Sequence, residues 1–489
     1  MPVGVSVTTD VMQPSGSVDT TTSAQFFVAG LTERGDTTAP VVVRNMAEYA
    51  ALLGGRVTYG SVYDQAQAYF GEGGSRMIVA RAVGTSASKG TVTAPDRASG
   101  SPVSTLTFTA ENAGAWSSGL QLVVSDGLVS NTVNISVVLN GAQVEIYNNL
   151  ANPAAVATAL NASTYVRAAD LGSATAAPNN NPAAGTYTLS AGSDDRGTMT
   201  ATTLVTALAQ FGADLGPGMV AIPGQPYSTV AAGIAAHCAA NRRVGAVVAA
   251  QGTSVSAAIT AARSLRTTTG SEGVGFFYPY VTIPDGAGGQ RTISPEGYAA
   301  GVRARSILAV GGESGPWFGE TAKARFVTGA ESTLSTSDAS SLADGAVNPI
   351  RVMLGGVRLY DWRSLSYDES NWRFLNYRDL INEVAWRVSQ RMESFVGAII
   401  DGSGHLFSQM EAAAIGILVP YTTAGALYAL TDGSGNQIDP GYRVITASPV
   451  NTPTTIAAGQ ANIRVEVRPS PDAELIGITI SKAALTNTL

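Results

Sequence analysis

Apolar and polar positions change their period several times along this 489-residue chain. At the start, Val3, Val5 and Val7 alternate with Gly4 and Ser6, a period of two that predicts a strand. Small polar residues from Pro14 to Ser23 follow, as in a linker. A lone strand cannot satisfy its own backbone groups, so residues 1–22 are expected to form an arm whose strand joins a sheet, its own or a neighbour's. Residues 23–90 read as the first segment of an α/β domain, with strands at Gln25–Gly30 and Arg76–Val83 and helices at Asn45–Leu53 and Tyr63–Phe70. Residues 91–195 read as a β-rich insertion, exposed at the surface, in which Asn140-Gly141 is a two-residue hairpin turn after Val133–Leu139. One helix, Pro153–Leu160, and a polar loop, Ala174–Gly185, belong to it.

From 196 to 324 strands alternate with helices, which implies a parallel sheet with crossover helices. Residues 325–472 read as a final α+β domain. Its clearest element is a helix over Arg378–Val396, where Ile381, Val384, Val388, Met392 and Phe395 share one stripe. A second helix is expected over Leu406–Ile415. Ile463, Val465 and Val467 alternate with polar residues, as Leu475, Ile476, Ile478 and Ile480 largely do, with Pro469 to Asp472 between them. That pattern predicts a hairpin, and residues 473–489 are expected to be a C-terminal strand or arm. The fold class is thus α/β and α+β multidomain: mixed α/β core domains, an inserted β-rich domain and extended terminal arms.

Composition narrows the function classes. Only 13% of residues are charged, against the usual quarter, which suits a surface buried against copies of itself and equally any Ala- and Gly-rich sequence from a high-GC genome. The net charge of −7 comes with no basic stripe, so no direct nucleic-acid partner is expected. Cys238 is the sole cysteine, which excludes intramolecular disulfides and cysteine-cluster metal sites. Met1-Pro-Val-Gly-Val-Ser-Val does not read as a secretory signal, and the longest apolar runs fall far short of the ~20 residues of a membrane helix, so no membrane insertion is expected.

Catalytic chemistry finds few residues to use. His237 and His405 are the only histidines, and no Gly-x-Ser-x-Gly elbow stands in a strand-to-helix context. Asp432-Gly-Ser-Gly-Asn-Gln-Ile-Asp439 spaces its oxygens like a calcium loop but lacks the glycine at position six and the glutamate at twelve, so it reads as a hairpin turn. No phosphate loop is present, and Lys89, Lys323 and Lys482 are the only lysines. No cofactor, metal or enzymatic activity is expected; an α/β hydrolase-like enzyme is the weaker alternative.

A set of landmarks carries a family resemblance. Asn348-Pro-Ile-Arg-Val-Met-Leu-Gly-Gly-Val-Arg-Leu-Tyr-Asp-Trp-Arg-Ser-Leu, then Trp372-Arg-Phe-Leu-Asn-Tyr-Arg-Asp-Leu, Gly441-Tyr-Arg-Val and Pro471-Asp-Ala-Glu-Leu-Ile follow one another in order. Earlier come Pro2-Val-Gly-Val, Gly114-Ala-Trp-Ser-Ser-Gly-Leu, Leu189-Ser-Ala-Gly-Ser-Asp-Asp, Tyr278-Pro-Tyr-Val and Ser294-Pro-Glu-Gly-Tyr-Ala-Ala-Gly-Val-Arg-Ala-Arg. Together they resemble the contractile phage tail sheath family, which includes sheaths of R-type bacteriocins and extracellular injection systems. The chain departs from that family at Tyr360-Asp-Trp-Arg-Ser, where a Trp-Gly-Ala-Arg-Thr-like run is usual, and at Arg378-Asp379, where paired arginines are common. The resemblance implies a structural subunit that polymerises helically around an inner tube, in a virion tail assembled in the bacterial host cytoplasm. Its implied partners are other copies of itself, a tail tube protein, and baseplate and tail terminator proteins; another tail component is the alternative. It further implies strand exchange between subunits at Val3, Val5, Val7, Ile463, Val465, Val467, Leu475, Ile476, Ile478 and Ile480. The polar side of the long helix, with Arg378, Glu383, Arg387 and Arg391, is the candidate face toward the tube, with a solvated or intra-subunit salt-bridged face as the equal alternative.

Overall fold

The structure, a computed structural model, describes residues 23–286, 288–309 and 317–474. Uninterrupted apolar runs build its centre. Strands β1 (Phe26–Gly30), β2 (Val41–Val43), β3 (Met77–Arg81), β4 (Met219–Ala221), β5 (Val244–Val248), β6 (Val274–Tyr278), β7 (Val347–Met353) and β8 (Gly356–Leu359) form one sheet in the order β8-β7-β6-β5-β4-β1-β3-β2. The strands from β7 to β3 run parallel, and β8 and β2 close the edges antiparallel. Every residue of β1, β3, β5 and β6 is buried, because the sheet is covered on both faces. Phe26 and Val28 enter one hydrophobic cluster while Phe27 and Ala29 enter the other, as the strand period of two requires.

Helices supply the covers. On one face lie α1 (Val62–Gly71) and α3 (Glu296–Ala309), with Tyr69, Tyr298 and Val302 in the shared core. Between them in sequence, α2 (Tyr227–Asn241) packs Val230, Ile234 and Cys238 against the opposite face. The alternation from 196 to 324 therefore makes the parallel sheet expected of it, and β1 to β3 complete the same sheet from before the insertion.

The boundary expected at 325 is displaced. β7 and β8 extend the large sheet, with Phe276↔Val347 and Tyr278↔Pro349 in register, so residues up to the end of β8 belong to the α/β body. Buried Asn348 is tolerated in this strand because its amide donates to the Arg363 carbonyl at 2.9 Å and its Oδ1 accepts from the Arg363 N–H at 2.5 Å.

The insertion has its own core. Thr91–Pro95, Ser104–Ala110 and Val166–Asp170 form a three-stranded sheet; Gly185–Thr188, Leu120–Asp126, Val133–Leu139 and Ala142–Leu150 form a four-stranded one. Leu106, Phe108, Leu122, Ile135 and Val166 meet between them. Asn140 and Gly141 both take positive φ, 51° and 83°, the conformation a two-residue hairpin turn needs. At the root of the insertion, buried Arg81 donates to Asp194 at 2.5 Å and to the carbonyl of Gly35, which pins the strand leaving the body to the segment returning to it.

The last unit is built on two helices. α4 (Leu375–Met392) begins three residues before the expected start and ends four residues early, a 3-10 turn over Glu393–Phe395 taking its place. α5 (His405–Thr423) runs past the expected end at Ile415 through Pro420. Val384 and Val388 of the expected stripe, with Leu380, meet Leu418, Tyr421 and Leu427; Met392 packs at the margin. Strands β9 (Tyr442–Ile445) and β10 (Arg464–Val467) pair antiparallel over this core.

Candidate assembly interface

The β9–β10 pair holds the part of the expected exchange site that the structure describes. Tyr442, Val444, Val465 and Val467 point one way and pack on the α4–α5 core. Arg443, Arg464 and Glu466 point the other way; Glu466 pairs with Arg443 at 2.6 Å and with Arg464 at 3.0 Å. Ile463 lies half-buried just ahead of β10. Two strands alone are marginal in water and leave two rows of unpaired backbone groups. Among the described residues, no third strand joins this pair. Val3, Val5, Val7, Leu475, Ile476, Ile478 and Ile480 lie outside the described residues. The pairing expected between Ile463–Val467 and Leu475–Ile480 therefore falls outside them too, and the partner seen for β10 is β9.

Grooves flank the pair on either side. One, of about 750 Å³, lies between Trp372, Tyr377 and Ile381 and the segment Val467–Pro469, with Tyr428 in its wall. The other, of about 630 Å³, is lined by Tyr442, Arg443, Glu466 and Arg468. The first places apolar side chains next to strand backbone, which is what an added strand requires for affinity and register; the second is walled largely by the charged Arg443, Glu466 and Arg468.

The polar side of α4 divides in two. Arg387 and Arg391 are exposed, and Arg378 is half-exposed with its guanidinium over the Trp372 ring. Glu383 does not share that surface: it is 3% exposed, and its carboxylate accepts from Ser23 Oγ at 2.9 Å and from Arg387 at 2.7 Å. The reading of Glu383 as a tube-facing residue is therefore corrected; the helix turns it inward against the first residues of the body. Burial pushes its carboxyl above the usual range, with Arg387 and Ser23 opposing. One turn earlier, Asp379 meets Arg303 of α3 in a bidentate pair, at 2.7 and 2.9 Å, and both side chains are almost fully buried. Arg303 also donates to the Ser23 carbonyl at 2.5 Å. Sequence periodicity marked these positions as polar but gave no sign of partners 76 and 360 residues away.

Neither histidine has the geometry of a catalytic base. Arg243 donates to His237 Nε2 at 2.9 Å, so the imidazole is neutral; burial first, then Arg243, push its pKa down to about 4. Neighbouring Cys238 is buried in the core, where desolvation pushes the thiol up to about 12, far from a thiolate nucleophile. His405 opens α5 in contact with Gln409. The Asp432 carboxylate caps the backbone N–H groups of Ser434 and Asn436, closing a turn between short strands. No group of metal-ligating side chains gathers among the described residues.

One buried carboxyl gives a pH-dependent expectation. Glu296 is 1% exposed at the first turn of α3, and its Oε2 has no partner. Burial pushes its pKa from 4.5 up to about 7, opposed by hydrogen bonds from Ser294 and the Gly224 backbone. The folded state then holds a proton that the unfolded state releases above 4.5. Its contribution is full below that pH and is lost as pH rises through about 7, a difference of roughly 3 kcal/mol. Glu296→Gln should remove this slope: relative to wild type, the variant gains stability between pH 5 and pH 8 in chemical denaturation. Equal pH slopes for the two proteins would contradict this.

No sequence-family model and no curated protein matches this chain. Solved structures do. The sheath tail protein from Desulfitobacterium hafniense superposes with a TM-score of 0.57 at 14% identity, covering 91% of this chain and 93% of that one. The sheath tail protein Lin1278 from Listeria innocua gives 0.59 at 13% identity, over 86% and 88%. The helical sheath of the anti-feeding prophage in its contracted state gives 0.54 at 14% identity, over 98% and 99%. The likeness runs nearly end to end, and the chain has the fold of the tail sheath proteins.

Proposed function

We propose that this chain is the structural subunit of a contractile tail sheath, polymerising helically around an inner tube and contracting to drive that tube through a bacterial envelope. The observation that carries the reading is the end-to-end likeness to a helical sheath in the contracted state. An enzymatic role finds no support in the arrangement of His237, Cys238 and His405. In this reading residues 1–22 and 473–489 are arms that add strands to the β9–β10 pair of neighbouring subunits through backbone hydrogen bonds, with alternate apolar side chains setting register. Donor and acceptor are different surfaces, so the contact is heterologous and propagates as rings or an open helix. Contraction requires two packings separated by a few kcal/mol per subunit, summed over the polymer. The exposed end of α4, with Arg387 and Arg391, is the face offered to the tail tube protein. Baseplate and terminator proteins close the two ends of the polymer, in a virion tail assembled in the host cytoplasm.

Sedimentation tests the polymer. The purified full chain should pass into the pellet above a critical concentration, with a constant concentration left in the supernatant. A chain that stays monomeric at every concentration contradicts the reading.

A further inference from the structure

The two expected arms, residues 1–22 and 473–489, adjoin Ser23 and Asp472, and the chain at both places is tied to one helix. At the first, Ser23 gives its hydroxyl to Glu383 at 2.9 Å and its carbonyl to Arg303, which grips Asp379. At the second, Asn376 donates to the Asp472 carboxylate at 2.7 Å. Glu474 is held by Arg363 at 3.0 Å and by Arg373, two residues before α4 begins. Asn376, Asp379 and Glu383 are spaced by three and four, so they lie on one face of the helix. Seven residues of rise separate the two attachments by ~10 Å along its axis.

That face is costly. Three buried polar side chains must each find a partner, and an apolar face of the same shape would pack without that demand. Their partners are Arg303 of the α/β body and, next to the expected arms, Ser23 and Asp472. Beyond this face, α4 buries Leu380, Val384 and Val388 in the C-terminal core. The helix therefore touches the α/β body, the C-terminal core and both attached segments at once.

We propose that α4 is a crossbar between the two arm roots: its Asn376–Asp379–Glu383 face fixes where and in which direction the arms leave the body. Load carried by one inter-subunit strand then passes through a single rigid helix to the other. The inference rests on the polymer reading above. It explains why buried polar residues, and not apolar ones, occupy this face: they set geometry between segments 360 and 96 residues distant from the helix positions that hold them.

The test compares three full-length variants by melting, sedimentation and negative-stain microscopy. Glu383→Met cuts the first tie and Asn376→Leu the second. Asn382→Leu is the control: Asn382 is equally buried on α4 but donates to the Arg243 carbonyl at 3.2 Å, away from either attachment. We expect Glu383→Met and Asn376→Leu to melt within roughly 5 °C of wild type yet to lose at least about tenfold in pelleted, regular polymer, while Asn382→Leu assembles normally. Should Glu383→Met fail to fold, Ser23→Ala and Ser23→Thr replace it; only the threonine, which keeps the hydroxyl, should assemble. Normal polymer from the tie variants overturns the inference and leaves the polymer reading standing, as does equal loss in Asn382→Leu. A wild-type chain that never polymerises overturns both.

Discussion

Arg303→Met will destabilise the folded chain by about 3–5 kcal/mol, the cost of leaving one member of a buried ion pair alone. Arg303 is fully buried in α3, stacked 5.4 Å from the Trp317 ring. Its guanidinium satisfies both Asp379 oxygens and the Ser23 carbonyl. Methionine replaces the unbranched stem but brings no donor to the end of the pocket. Burial already pushes the Asp379 carboxyl upward against the pull of Arg303, so in the variant Asp379 protonates more readily still and the loss shrinks toward acid pH. Adding Asp379→Leu removes the stranded carboxyl and should recover about 2 kcal/mol of the loss. About 1–3 kcal/mol remains, because the Ser23 carbonyl stays unpaired. Urea denaturation of the two single variants and the double variant measures the coupling directly. Additive losses would show that the pair is not an energetic unit.

Deleting residues 1–12 will leave a folded monomer that makes no pelletable polymer at concentrations where the full chain is wholly assembled. The described body carries four hydrophobic clusters of its own, and its first residues are held by Arg303, Glu383 and Tyr69. The deletion removes Val3, Val5 and Val7, the alternating residues expected to supply a strand to the next subunit, and keeps the polar stretch after Pro14. Each subunit then lacks a donor while its β9–β10 acceptor is intact. Circular dichroism should show a melting point within a few degrees of wild type. The truncated chain should also fail to extend polymer begun by the full chain. Tube growth by the truncation would place the essential contact elsewhere.

Much of the fold is legible in local pattern. Phe26-Phe-Val-Ala and Val244-Gly-Ala-Val-Val read as doubly covered strands because no polar residue interrupts them, and both are fully buried. Asn140-Gly141 announced its hairpin because few other pairs tolerate two positive φ angles. Non-local pairing was not legible. Val347–Met353 carries Asn348 and Pro349, which argue against a central strand, yet it joins the large sheet with Asn348 satisfied by the Arg363 backbone. The candidate site divides along the same line. Val465 and Val467 alternate visibly, and their core-facing side is where period two puts it. Glu383 and Arg387 read as one surface pair at helical spacing, yet Glu383 is turned inward by Ser23, 360 residues away. A charge on a helix carries no local mark of whether it meets water or a distant segment.

Negative-stain microscopy of the purified full-length chain tests the central claim most directly. A sheath subunit should appear as hollow tubes of uniform diameter with a regular axial repeat and an open lumen wide enough for an inner tube. Discrete closed particles of a few copies, or monomers alone, at every concentration and salt tested would contradict it.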